Sequence, residues 1–566
     1  MSSTSDGEHN AKYVHFETLV DQLKRAAIDA WMCQEGWKIK DDLWYTKSET
    51  VMLLPSKTVA WCTRPGAGEH GEATVYEQEG RPTVGSVPGN PGDFYLDPGV
   101  FGTVRHDIEA IVAPWRALPD PAAIQKIEQR QGKSKGSASN ASYQDIYESF
   151  IGENEKDIDD QSIFGRLQLI WEEFVGNPDK PDAYGAYPPA MEGDAADTYK
   201  TYLIELWKAI SGCRHLAGIL YTSVTAQREL WNTARDKVAK IIYQARQGFS
   251  QVADQAAKEG AWSIDDTLLL VSLITVAIGA PIALPESMVA VSTALGLTSA
   301  VTSVGTSIVG YEYSASAPPK PVKETYGGVM RWLRDMLATD TGAGKSGLNN
   351  TIYYVEDKLR SKLVDAIGDV DHLRSQFDPT PNLIDSPDKI VGLRGRDRID
   401  NIIGCVAPDV SADIDKVVGQ LSSCASECDP GPFKRDREIG IGRIGPTEHL
   451  LDLIDVLKRL LGELSWKVNI STEDLKDVRD LHLHVNGAAL SKVRALEAEY
   501  EAGYQGGISV IDFSKLEGED TGRSGSGEKP DSSNSGSGGT SKGGGAEPPW
   551  PRVTWGSPID VNKLNE

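Results

Sequence analysis

The sequence predicts a mainly α-helical protein: an elongated multi-helix bundle with an apolar helical hairpin, a small N-terminal α+β unit and a disordered C-terminal tail. Three observations carry this. Long stretches after residue 106 repeat apolar residues at three- and four-residue steps, the period of one helix face. Residues 267–311 contain two uncharged runs of bilayer length. Short β-prone runs separated by turn residues are confined to residues 43–100.

A chain of 566 residues is expected to form several domains. Blocks at 1–105, 106–198, 199–313, 314–509 and 510–566 follow from the changes in pattern. The net charge of −24 argues against nucleic acid as a partner, since phosphate binding needs a basic surface. It also disfavours docking on anionic lipid. Six cysteines do not make a disulfide scaffold, and only Cys424 and Cys428 lie close, as C-x3-C. On a helix they share a face; both a closed pair and two thiols stay open. The N-terminus, MSSTSDGEHN, lacks the basic and apolar regions of a secretory signal, so export would use another route.

Taken in order, Phe16 to Trp37 reads as an amphipathic helix with Phe16, Leu19, Leu23, Ala26, Ala27, Ala30 and Trp31 on one face. LWYTKS, TVMLLPS, TVAWCT and ATVYEQ read as strands. His106 to Trp115 and Pro121 to Gln131 are expected to be helical. The acids from Glu153 to Asp160 lack the central Gly of a calcium loop and fit a helix start. Tyr199 to Gly260 reads as one long helix with slips near Gly212 and Gly218, needing partner helices along its length. Ile352 to Phe377, Ser386 to Cys405, Ser411 to Cys424, His449 to Leu464 and Thr472 to Tyr500 supply them. From Lys515 to Pro549 the chain is Gly/Ser-rich and expected to be disordered.

The apolar pair is the most distinctive stretch. Ser263 with Asp266 resembles a capping box, and Trp262 and Tyr311 bracket the pair as one aromatic rim. Thr267 to Pro285 would span about 28 Å as a helix, the hydrocarbon thickness of a bilayer. Pro281 and Pro285 break the chain, and Glu286 falls at the hairpin tip. Gly296 and Ala300 belong to a small-residue stripe that allows close helix approach. A constitutive anchor, a hairpin sheltered in a soluble form and then released, and a permanently buried core pair are the three readings. Glu286 is either an ordinary helix-start acid or a group whose protonation eases insertion.

No catalytic residue, cofactor or metal site is expected. Thr339 to Ser346, TDTGAGKS, matches a phosphate loop at Gly344, Lys345 and Ser346, but Thr339 replaces its first Gly. A helical pattern, GGVMRWLRDMLA, precedes it where a buried strand is required.

Long helices, an apolar hairpin and a Gly/Ser-rich C-terminus resemble the helical proteins exported by type VII secretion, the Trp-x-Gly and PE–PPE-like groups, and α-helical pore-forming toxins. The Y-x-x-x-[DE] export-like pattern occurs at Tyr13 to Glu17, Tyr45 to Glu49 and Tyr353 to Asp357, whereas no Trp has Gly two residues on. The resemblance implies a non-enzymatic, membrane-active or secretion-associated protein. Its expected partners are a lipid membrane under some condition and further copies or helical proteins. It implies a secreted or membrane-associated location, with a cytoplasmic one as the alternative. A soluble scaffold whose hairpin stays buried is the second reading, and a nucleotide-binding protein the third.

Overall fold

A computed structural model describes residues 12–48, 59–65, 72–78, 81–82, 96–129, 141–152, 159–176, 189–255, 325–341, 347–376, 390–393, 395–428 and 431–506. The described residues are mainly helical, with one four-stranded and one two-stranded antiparallel sheet. The apolar pair and the Gly/Ser-rich tail lie outside them. Two compact units emerge, each drawn from three stretches of chain.

The first unit comprises Met1–Asp159, Ser211–Gln376 and Lys416–Lys458. Its first helix, α1 (Phe16–Gln34), buries Phe16, Leu19, Leu23, Ala26, Ala27 and Ala30, as their spacing requires. Gly36, at φ +84°, stops it three residues before the expected Trp37. An antiparallel meander follows: β1 (Lys38–Ile39), β2 (Trp44–Ser48), β3 (Val59–Thr63) and β4 (Val75–Gln78). Three of the four β-prone runs become β2, β3 and β4; TVMLLPS lies outside the described residues. Tyr45 stands opposite Cys62, and Trp61 opposite Tyr76.

One sheet face packs on α1. The Tyr45 hydroxyl donates to Asp29 Oδ1 at 2.6 Å, and Arg64 donates to both Asp29 oxygens. Burial and the neighbouring Asp29 hold the Tyr45 phenol well above its ordinary range. The ring of Tyr45 lies 6.3 Å from that of Phe101 on α2 (Val100–Val112). Helix α3 (Pro121–Glu128) begins with proline, whose missing N–H costs nothing there. Helix α4 (Tyr143–Ile151) opens on a capping box between Ser142 and Asp145.

Helix α6 (Asp194–Gln255) is continuous through Gly212 and Gly218. Flanking Ala209, Ile210, Cys213, Leu216, Ala217 and Leu220 are all buried, so packing outweighs the weak helix preference of glycine. Helices α7 (Tyr326–Met336) and α8 (Leu348–Gln376) complete the first unit with the end of α10 (Ala407–Cys428) and the start of α11 (Thr447–Gly506). The two helices expected over 449–464 and 472–500 are one.

The second unit comprises Asp160–Ile210, Phe377–Asp415 and Arg459–Glu566. It contains α5 (Ile163–Val175), whose Phe174 and Phe164 pack on Tyr199 and Trp207 at 4.5 and 5.0 Å. A two-stranded ladder pairs β5 (Met191–Gly193) with β6 (Ile390–Leu393), followed by α9 (Arg396–Asn401) and a π-turn over Ile402–Val406. Within the helix expected over 386–405, the ladder corrects Ile390–Leu393, while Arg396–Asn401 is helical as expected. Strands this short, paired across two hundred residues, leave no local period to read. Arg166 bridges Asp409 and Asp413, and Ser411 meets Ser465 at 2.8 Å.

None of the six cysteines forms a disulfide. Cys424 Sγ donates to the Ala141 carbonyl, and the Tyr143 hydroxyl lies 3.3 Å from Cys428 Sγ. Only Cys405 is exposed; burial pushes Cys33 up to about 11 and Cys62 to about 12. A native thiol titration at pH 8 should therefore count one reactive cysteine, rising to six in guanidinium. A denatured count of four would show that Cys424 and Cys428 are bridged.

Candidate functional site

The twelve residues singled out by the sequence divide into two groups. Trp262, Ser263, Asp266, Pro281, Pro285, Glu286, Gly296, Ala300 and Tyr311 lie outside the described residues, as do Gly344, Lys345 and Ser346. What the structure supplies is the protein surface on which each group is mounted.

The first mount is where the chain leaves for the apolar pair and returns. It leaves from the end of α6 and re-enters at α7, and α1 holds both places. Arg246 donates to Gln22 Oε1 at 2.7 Å, and the backbone N–H of Tyr326 donates to Gln34 Oε1 at 2.9 Å. The rings of Phe249 and Tyr326 are 5.6 Å apart. Thr325 caps α7 by accepting from Gly328 N. Phe249, Val252 and Ala253 on one side and Val329, Met330, Trp332 and Leu333 on the other are buried. Burial raises the Tyr326 phenol to about 12. The far end of α7 is pinned too, because the buried Trp115 donates Nε1–H to the Leu337 carbonyl at 3.1 Å. Among the described residues no helix is long and apolar enough to cross a membrane.

The second mount flanks TDTGAGKS. A helix, α7, precedes it, as GGVMRWLRDMLA indicates, and α8 begins at Leu348. Gly347 turns the chain at φ +113°, where a Cβ would lie 2.7 Å from the Asp335 carbonyl. Buried Asn349 ties this loop to another: its Nδ2 donates to Thr339 O and Glu438 O, and its Oδ1 accepts from Gly440 N.

That second loop was missed in the sequence. Gly440-Ile441-Gly442-Arg443-Ile444-Gly445 has the G-x-G-x-x-G spacing of dinucleotide-binding turns and lies just before α11. Its anion place is taken by the protein itself. Glu356, fully buried on α8, accepts from Ile441 N at 2.8 Å and from Arg435 Nη2 at 2.5 Å. Arg435 also donates to Ile439 O, and its guanidinium lies 4.6 Å over the Trp231 ring. Gly440 and Gly445 have positive φ, and a Cβ on either would collide with the Glu356 carboxylate. Burial raises the Glu356 pKa and lowers that of Arg435, while each partner offsets the other's shift. Two signals pointed here: an acid beside the Ile352, Val355, Leu359 stripe, and three glycines in six residues.

The arrangement is a clasp that closes residues 431–446 onto α8. Chemically it holds a buried charge pair through Glu356 Oε2, while Oε1 is buried with no hydrogen-bond partner among the described residues. Glu356→Gln should destabilise the protein by about 3–5 kcal/mol, because Arg435 stays buried without a counter-charge. Glu356→Leu combined with Arg435→Met should cost less than either single change in denaturant unfolding. Additive losses would show that the two residues are not coupled.

Among the described residues no group of three or more His, Cys, Asp or Glu side chains is placed to hold a metal ion. No protein-family model matches the chain, and neither curated proteins nor solved structures provide a match.

Proposed function

We propose that the protein is a helical, membrane-active protein that meets a lipid bilayer through residues 263–313. The observation that supports this is the mount described above. Helix α1 holds both α6 and α7, and the rings of Phe249 and Tyr326 are 5.6 Å apart, so the chain leaves and returns on one side, as an even number of spans requires. The two uncharged runs supply the bilayer-length apolar surface. Phe249, Val252 and Ala253 near the end of α6 and Val329 and Met330 near the start of α7 are buried, so the segment can act without withdrawing α6 or α7 from the first unit. The clasp around Glu356 favours no nucleotide reading, since its G-x-G-x-x-G turn already holds a carboxylate.

Flotation with phosphatidylcholine vesicles tests the proposal. The full chain is expected to float, and Leu270→Asp with Ile274→Asp to stay at the bottom, since each mid-span carboxylate costs about 2.5–3.5 kcal/mol. Dye release should be greater at pH 5 than at pH 7, and Glu286→Gln should remove the difference. A full chain that never floats at either pH favours the soluble scaffold and defeats the proposal.

A further inference from the structure

We infer that Asn349 joins two loops into one opening unit: the turn after α7, at Thr339, and the clasp over residues 431–446. Every residue in the inference belongs to the first unit, and it is independent of the membrane proposal.

Asn349 stands in the first turn of α8 and is 0% exposed. Both ends of its amide are in use. Nδ2 carries two hydrogens and donates to the Thr339 carbonyl at 2.6 Å and the Glu438 carbonyl at 2.8 Å. Oδ1 accepts from Gly440 N at 2.7 Å. Thr339 lies ten positions before Asn349, whereas Glu438 and Gly440 lie 89 and 91 positions after it. Glu356 falls two turns further along the same face of α8 and accepts from Ile441 N. One helix face therefore grips neighbouring residues of the clasp twice. The clasp also closes on itself, because Arg435 N donates to the Arg443 carbonyl at 3.0 Å and Ile439 N to the Asp436 carbonyl at 3.2 Å. Those bonds let it move as one piece.

The burial of Asn349 is what couples the loops. When the clasp lifts, the amide loses two of its three partners together and meets water. Its bond to Thr339 must then compete with water, and a solvated hydrogen bond contributes little. When Thr339 leaves first, a buried N–H is left unpaired, which weighs against the closed clasp. Each loop is thus held more firmly while the other is closed, and the coupling works in both directions.

Hydrogen exchange of the full chain, read on peptides by mass spectrometry, tests this. Gly442 supplies the probe. It has φ +71°, and a Cβ there meets nothing within 4 Å, so Gly442→Ala strains the clasp backbone without a collision. Exchange over 431–446 should become about tenfold faster. Exchange over 335–341, the end of α7 and the turn after it, should rise about fivefold or more in step. In an Asn349→Ala background the same change should speed the clasp alone. Residues 16–34 of α1 should keep the parental rate throughout. A faster clasp beside an unchanged 335–341 in the Gly442→Ala chain overturns the inference, with no variant of the buried amide required. An equal rise over 16–34, which would mean general loosening, also overturns it. So does a 335–341 stretch that still follows the clasp once Asn349 is replaced.

Discussion

Helix α1 ties together three parts of the first unit through contacts spread along its length. Gln34 holds the start of α7, while Gln22, three turns earlier, holds α6 close to its end. The same helix supplies Asp29 to the sheet, where Tyr45 and Arg64 converge on one carboxylate. One helix therefore fixes three neighbours, and its polar contacts work because they sit among buried apolar residues where an unmade hydrogen bond is costly.

The clasp on α8 obeys a different balance. Burying Glu356 and Arg435 is expensive in itself, and their pairing chiefly repays that expense rather than adding stability. What it secures is one conformation for the loop between α10 and α11. Two of the glycines that resemble a nucleotide-binding turn, Gly440 and Gly445, are required there because Glu356 comes too close for any side chain. A short motif is thus explained by an internal carboxylate, which removes the need for an external phosphate.

Helices were the legible part of the sequence. The stripes on α1, α8 and α10 are strong because each buries one face, and on α4 the capping box of Ser142 marks the start. The β5–β6 ladder was invisible because its two strands are tiny and distant in sequence. The slips in the α6 stripe near Gly212 and Gly218 do not interrupt the helix, since neighbours buried on both sides carry it through. Glu356 and Arg435 were illegible for the same reason as the ladder: their meaning lies in a pairing across seventy-nine positions. The residues singled out for membrane contact were chosen from hydropathy, and the structure contributes the placement of the two chain ends that flank them.

The account's central claim is that the helical body is complete without the apolar pair. Replacing residues 263–313 by a short Gly/Ser linker and unfolding the protein in guanidinium tests it most directly. The account predicts a cooperative transition with a midpoint close to that of the full chain and unchanged helical signal per remaining residue. Loss of the cooperative transition would contradict it, and would identify the pair as part of the core.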